Sequence, residues 1–374
     1  MKVKHVLMIA AVLLALLIAP VAADDKSADT SVSLSSAAEY EIDIPTNGVN
    51  LNTGSATASA GIKMTTIAPG SLIELSIGSG DDGFKLIHTY DSQYVLEYTV
   101  TADDGAVTSG DLILSADAGK DELQSVELSF DAILENLPAA GNYKDTLTFT
   151  AKERVPVVVS THSDLILAAS NGEYVALSDD LTGPADLSSS YGKTAVVVKN
   201  GAILDGNGHT LAAVDSVGTW DCVVNVGGTG GTVKNIKITD GFRGIFLTPD
   251  SGGVEIIVED VVLDGVTYTI HTDNGNGATL TVKDSTLKGW TSYASTLSSA
   301  SFTKCNFGEG NSYAFCRPYA PTLYDGCNFE AGFEMDLRAA CTFTNCYLNG
   351  VLIDATNIGD LVKHNPEMAT VMNS

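Results

Sequence analysis

The chain has 374 residues and a formal net charge of −26, with 20 Lys and Arg against 46 Asp and Glu. Neutralising phosphates needs clustered basic side chains, so this balance argues against any nucleic-acid partner. Hydrophobic residues make up 44% and charged residues 18%, a globular rather than disordered composition, and 36 glycines with frequent Thr, Ser, Val and Asn point to strands and turns.

The first residues, Met1-Lys2-Val3-Lys4-His5, are basic; an apolar run over 6–18 follows, then Val21-Ala22-Ala23 before Asp24-Asp25. That order reads as a secretory signal peptide over 1–23, cleaved after Ala23. The competing reading is a membrane anchor, for which the run falls short of the ~20 apolar residues a span needs. The sequence therefore predicts a secreted or cell-surface protein with no stable membrane span after cleavage. No Asn is followed two residues later by Ser or Thr, so no N-glycosylation acceptor exists, which points to a prokaryotic source.

Residues 24–153 contain neither Cys nor Trp and carry 22 acids against 6 bases. Short alternating runs such as Leu72-Ile73-Glu74-Leu75-Ser76-Ile77 and Tyr94-Val95-Leu96-Glu97-Tyr98-Thr99-Val100 are broken by Gly and Asp clusters. Such spacing predicts an antiparallel β-sandwich of roughly seven to nine strands. Its last segment, Asp145-Thr146-Leu147-Thr148-Phe149-Thr150, resembles the closing strand of sandwich domains on bacterial and archaeal surface proteins. A linker over 154–162 follows, beginning at Arg154-Val155-Pro156.

The region 163–362 repeats itself. The segments beginning Asn235-Ile236, Asp260-Val261, Asp284-Ser285, Lys304-Cys305, Gly326-Cys327 and Asn345-Cys346 share one pattern, their second residues 25, 24, 20, 22 and 19 apart. A β-rich period near twenty-two implies one solenoid coil per repeat, with inward side chains forming ladders between coils. The expected fold is all-β: a sandwich followed by a right-handed parallel β-helix, with a C-terminal tail at 363–374. The strings from Ser163-Asp164-Leu165 to Asp179-Asp180-Leu181, Gly192-Lys193-Thr194-Ala195-Val196-Val197-Val198, and Asp205-Gly206-Asn207-Gly208-His209-Thr210-Leu211 resemble the entry and first coil of secreted pectin-lyase-like β-helix proteins. That architecture serves both adhesin-like surface proteins and carbohydrate-active enzymes, so the resemblance implies fold rather than reaction. His209 reads as a turn residue.

Glycine alignment places Tyr268, Tyr293 and Tyr313 at one height, as a core stack or a sugar platform. Trp220 and Trp290 are further candidates for stacking on sugar rings. Aligning Phe333-Glu334-Met335-Asp336-Leu337 with Val351-Leu352-Ile353-Asp354-Ala355 stacks Asp336 on Asp354, with Glu334 beside them, His271 on the same face and Arg317 near the strand end. Paired carboxylates of this kind suit calcium or a retaining glycosidase, while the alternative is a solvated acidic face. No other cofactor is indicated. Cys305, Cys327 and Cys346 share a repeat position, and their parallel Cβ vectors favour buried thiols over disulfides. The functional expectation is a non-catalytic, adhesin-like protein binding an extracellular glycan or a cell-surface protein along the β-helix. A polysaccharide lyase or glycoside hydrolase of this fold, and a purely structural envelope component, are the alternatives.

Overall fold

A computed structural model describes residues 39–373, apart from 46–47, 69, 81–82, 103–104, 118–121, 136–137, 190–191, 215–220 and 294–295. The signal-peptide reading of 1–23 and the candidate Trp220 lie outside the described residues. The chain divides into two compact units, Met1–Val155 and Pro156–Ser374. None of the described helices is long and apolar enough to cross a membrane.

The first unit is antiparallel, as its alternation predicts. Among the described residues, a seven-stranded sheet runs Glu39–Asp43, Ser55–Thr66, Gln124–Ala132, Val95–Ala102, Lys85–His88, Tyr143–Lys144, with Gly105–Val107 also on Val95–Ala102. A three-stranded sheet sets Leu72–Ser79 between Leu147–Arg154 and Leu112–Asp117. Along Gln124–Ala132 the even positions Val126, Leu128, Phe130 and Ala132 are buried while Ser125, Glu127 and Asp131 are exposed, the period of two that puts one face inward. They join Ile73, Leu75 and Ile77 of the smaller sheet in one core.

The second unit is a parallel β-solenoid of about seven turns. Its strands stack into two long ladders of 17 and 9 strands among the described residues. The repeat positions read from sequence lie in register: Ile236 pairs with Val261, Val262 with Thr286, Thr286 with Asn306, and Asn306 with Asn328, which in turn meets Tyr347. The residue opening each segment has a left-handed backbone: Asn235 (φ 49°), Asp260 (51°), Asp284 (49°), Lys304 (53°), Gly326 (61°) and Asn345 (49°). Asn, Asp and Gly tolerate that conformation, and it makes a corner. The next residue then points inward, so the repeat is a corner followed by a core position.

Three of those core positions are the expected cysteine ladder. All six cysteines are free and buried. Cys305, Cys327 and Cys346 each donate Sγ–H to the carbonyl two residues earlier, at 3.4, 3.6 and 3.4 Å. Burial pushes the Cys327 thiol far above its ordinary range. Deeper inside, Tyr293 Oη lies 2.7 Å from Tyr324 Oη and 3.1 Å from Thr322 Oγ1, so two tyrosines enter the core with their hydroxyls satisfied.

Both ends of the unit differ from the sequence reading. Residues 154–162 are more than a linker: Val157–Val159 pairs parallel with Val175–Leu177. The entry string at 163 belongs to a helix, His162–Ser170, whose N-cap Thr161 accepts the Asp164 N–H at 3.2 Å. Leu165, Ala168 and Ala169 of that helix share the solenoid core, so the entry segment is helical and packs onto the coils. Residues 363–373 do not leave as a tail, since Ala369–Met372 pairs parallel with Cys341–Thr344.

The coil turn Asp205-Gly206-Asn207-Gly208 packs against its neighbour so closely that a Cβ on Gly206 would lie 2.6 Å from the Asn235 carbonyl oxygen. Backbone cannot step aside there without moving a rung. Gly206→Ala should therefore lower stability by about 2 kcal/mol, read as a shift in the urea midpoint at unchanged slope; Gly208→Ala, where open space surrounds the Cβ position, should lose less, through its positive φ alone.

Candidate functional site

The nine-stranded ladder carries two columns of side chains, buried at Arg243, Phe246, His271 and Asp336 and more exposed around Trp290, Phe315 and Glu334. The first runs Arg243, Tyr268, Trp290, Phe315, Glu334. The second pairs Phe246 with His271, His271 with Ser292, and Ser292 with Arg317; the strand Glu334–Asp336 continues it to Asp336, which pairs with His364. Coil stacking thus gathers aromatic and charged side chains from separate repeats onto one face.

Tyr268 stacks on Trp290 with centroids 5.0 Å apart and planes 26° apart, while Phe315 meets Trp290 edge-on at 5.2 Å and Tyr313 leans over it at 5.5 Å. The Arg317 guanidinium lies 5.4 Å from the Trp290 centroid and 5.2 Å from that of Phe315, a cation–π placement. Arg317 Nε donates to Asp336 Oδ2 at 3.0 Å, and Arg338 Nη2 donates to the same oxygen at 2.7 Å. The Asp336 side chain is 3% exposed against 30% and 46% for the two arginines. One buried carboxylate therefore fixes the guanidinium that roofs the rings. Trp290, Tyr313, Phe315 and Arg317, with Glu309 and Glu334 at the rim, line an open groove of about 520 Å³. Trp290, Phe315 and Arg317 are half-buried and Tyr313 is 40% exposed.

The carboxylate pair expected at Asp336 and Asp354 does not form. Tyr347–Leu348 and Val351–Leu352 make an antiparallel hairpin around Asn349 (φ 49°) and Gly350 (φ 76°), the paired positive φ of an Asn-Gly turn. That reversal takes residues 351–355 out of the coil, and the rung stacked on Asp336 is Val362–His364 instead. Asp354 accepts from Thr356 Oγ1 at 2.6 Å and Thr356 N at 2.7 Å, bonds that hold its pKa below the usual carboxylate value. Glu334 is exposed on the first column. No group of three or more His, Cys, Asp or Glu among the described residues is placed to hold a metal, so the calcium set Glu334, Asp336, Asp354 is not assembled.

His271 and Arg317 do share the column of Asp336, with Ser292 between them. His271 stacks on Phe246 at 5.6 Å, tilts against Tyr268 at 4.9 Å, and sets Nε2 3.6 Å from Asp273 Oδ1. Burial, only partly offset by Asp273 and reinforced by Arg243, lowers its pKa from 6.5 to about 4. The unfolded chain takes up that proton near 6.5 and the folded one only near 4, so this residue's stabilisation is complete above pH 6.5 and is lost as pH falls towards 4, about 3 kcal/mol in all. His271→Gln should remove that part of the acid limb in urea titrations; parallel limbs for both proteins would contradict it.

The tyrosine column separates. Tyr293 is fully buried and pairs with Pro318, while Tyr268 pairs with Trp290. Tyr268 follows Gly265 by three residues whereas its rung partner Trp290 follows Gly289 directly, so the Gly frame by which the three were aligned does not match the register. Phe315, Glu309 and Arg338 were not found from sequence; the Gly-Trp pair at 289–290, one rung after Tyr268, is the signal that bears on them. His209 lies in its coil turn, 3.5 Å from Asp180.

Two cavities of about 390 and 430 Å³ lie within the first unit, both bordered by Val49, Leu51, Leu86 and Tyr143. The carboxylate at the first, Asp145, accepts from Tyr98 Oη at 2.6 Å, Ser79 Oγ at 2.9 Å and Thr146 N at 2.6 Å. It serves as an internal tie between strands.

No protein-family model matches the chain, and no curated protein matches it. Among solved structures, a chain titled as part of a chaperone–tip adhesin complex in CFA/I fimbriae biogenesis aligns over 31% of this chain and 42% of its own length, at 18% identity and a TM-score of 0.24. An overlap of that quality carries no argument about fold or role.

Proposed function

We propose that this is an exported, adhesin-like surface or extracellular protein whose solenoid holds a glycan chain in the groove at Trp290, with the first unit as spacer or docking module. The observation that carries the reading is the aromatic cluster itself: Tyr268, Trp290 and Phe315 on successive rungs, with Tyr313 above them. Sugars present apolar C–H faces that pack on aromatic rings, and their hydroxyls pair with nearby charged groups such as Arg317, Glu309 and Glu334. Because each ring is held by its neighbours, little side-chain entropy remains to be lost on binding. The resemblance of the coils to secreted pectin-lyase-like proteins and the leader-like residues 1–23 support export and a glycan-rich setting.

Retention rather than cleavage fits the groove. The carboxylate pair that would suit a retaining glycosidase is not brought together, and Asp336 is engaged by two arginines. Calorimetric titration of the intact protein with neutral oligosaccharides, run beside Trp290→Ala and Tyr313→Ala, tests the reading. Saturable binding weakened in both variants is expected, and absence of binding to any glycan would reject it.

A further inference from the structure

We propose that the groove selects amino-sugar chains bearing protonated amines over uronates, an inference that rests on the glycan-binding reading above. Two exposed glutamates, Glu309 and Glu334, line it, and a third exposed glutamate, Glu330, lies beside Glu309, whose backbone N–H donates to its Oε2 at 3.4 Å. The nearby cations are already engaged, since Arg317 and Arg338 both bond to Asp336. In and beside the groove, four carboxylates thus stand against two guanidiniums, within a chain of net charge −26. An anionic sugar would enter against that field, and its carboxylate would have to compete with Asp336 for Arg317.

A cation meets the opposite situation. The protein places its own guanidinium over the Trp290 and Phe315 rings, which shows that this ring pair faces a positive charge favourably. A ligand ammonium beside the exposed Tyr313 gains the same ring attraction, and the rim glutamates lie on the same groove to accept its hydrogens. Each favourable carboxylate–ammonium contact at a solvent-exposed site is worth roughly fivefold in affinity.

The test titrates the intact protein with three oligomers of equal length: glucosamine at a pH where its amines are protonated, the fully N-acetylated form, and galacturonate. The glucosamine oligomer should bind about tenfold or more tightly than the acetylated one, and galacturonate should bind most weakly. Added salt should shrink the first gap. Glu309→Gln with Glu334→Gln should close it to within about twofold, and Glu334→Gln alone, should the double variant fail to fold, should roughly halve its logarithm. Equal binding of the amine and acetylated forms, tighter binding of galacturonate, or a gap untouched by the glutamate substitutions would overturn the charge selection. In those outcomes the glycan reading survives if Tyr313→Ala still weakens the acetylated oligomer. Failure of all three oligomers to bind would overturn both.

Discussion

Phe307→Ala is expected to cost the solenoid about 4 kcal/mol, the scale for removing a buried phenylalanine from a core that cannot collapse onto the gap. Phe307 is fully buried and stacks on Phe329 at 4.9 Å, 16° from parallel. Phe302 and Phe333 touch it at 5.5 and 5.6 Å, and Tyr324 lies edge-on at 5.9 Å. Those rings come from two adjacent coils, Phe302 and Phe307 from one and Tyr324, Phe329 and Phe333 from the next, whose backbones are pinned together by parallel ladders. Neighbouring rungs therefore cannot close in independently, and a stacked array has only nearest-neighbour contacts to absorb the loss. Urea unfolding followed by near-ultraviolet circular dichroism should show the change, with Phe307→Leu losing well under half as much. A loss below about 1 kcal/mol for the alanine variant would mean that the coils are not stacked as described.

Trp290→Ala is expected to weaken glycan binding by about thirtyfold or more, the scale of a central aromatic anchor. Trp290 contacts Tyr268, Tyr313, Phe315 and Arg317. Its removal takes away the surface on which the other rings and the guanidinium are arranged, rather than one contact among many. Because the residue is half-buried, some stability is lost as well. Tyr313→Ala separates the two effects: its ring is 40% exposed, so binding should fall several-fold with little change in the unfolding midpoint.

The solenoid was legible because its repeat is written in residues with no alternative use. A left-handed corner favours Asn, Asp or Gly, and five of the six corners, Asn235, Asp260, Asp284, Gly326 and Asn345, supply one, with Lys304 the exception. The core position after each corner accepts only small or apolar side chains, which made the Cys305, Cys327 and Cys346 ladder readable. The outward face is a different matter. Which side chains share a column there depends on corner lengths that vary from coil to coil. Tyr268 follows Gly265 by three residues while Trp290 follows Gly289 directly, so counting from glycine joined Tyr268 to Tyr293 instead of Trp290. Asp354 was misplaced for a local reason, since Asn349-Gly350 closes a hairpin where another coil was expected. Asn-Gly between apolar runs is a strong hairpin signal, and it outweighs a repeat that drifts between 19 and 25 residues.

The most direct test of the central claim is isothermal titration of the intact protein and its Trp290→Ala variant with the glycan that binds best among neutral, amino and acidic oligosaccharides. Saturable one-site binding to the intact protein, at least about thirtyfold weaker in the variant while its circular dichroism spectrum stays that of a folded β-protein, is the result expected. Equal affinities in the two proteins, or no glycan bound by either, would contradict the assignment of the Trp290 groove as the binding site.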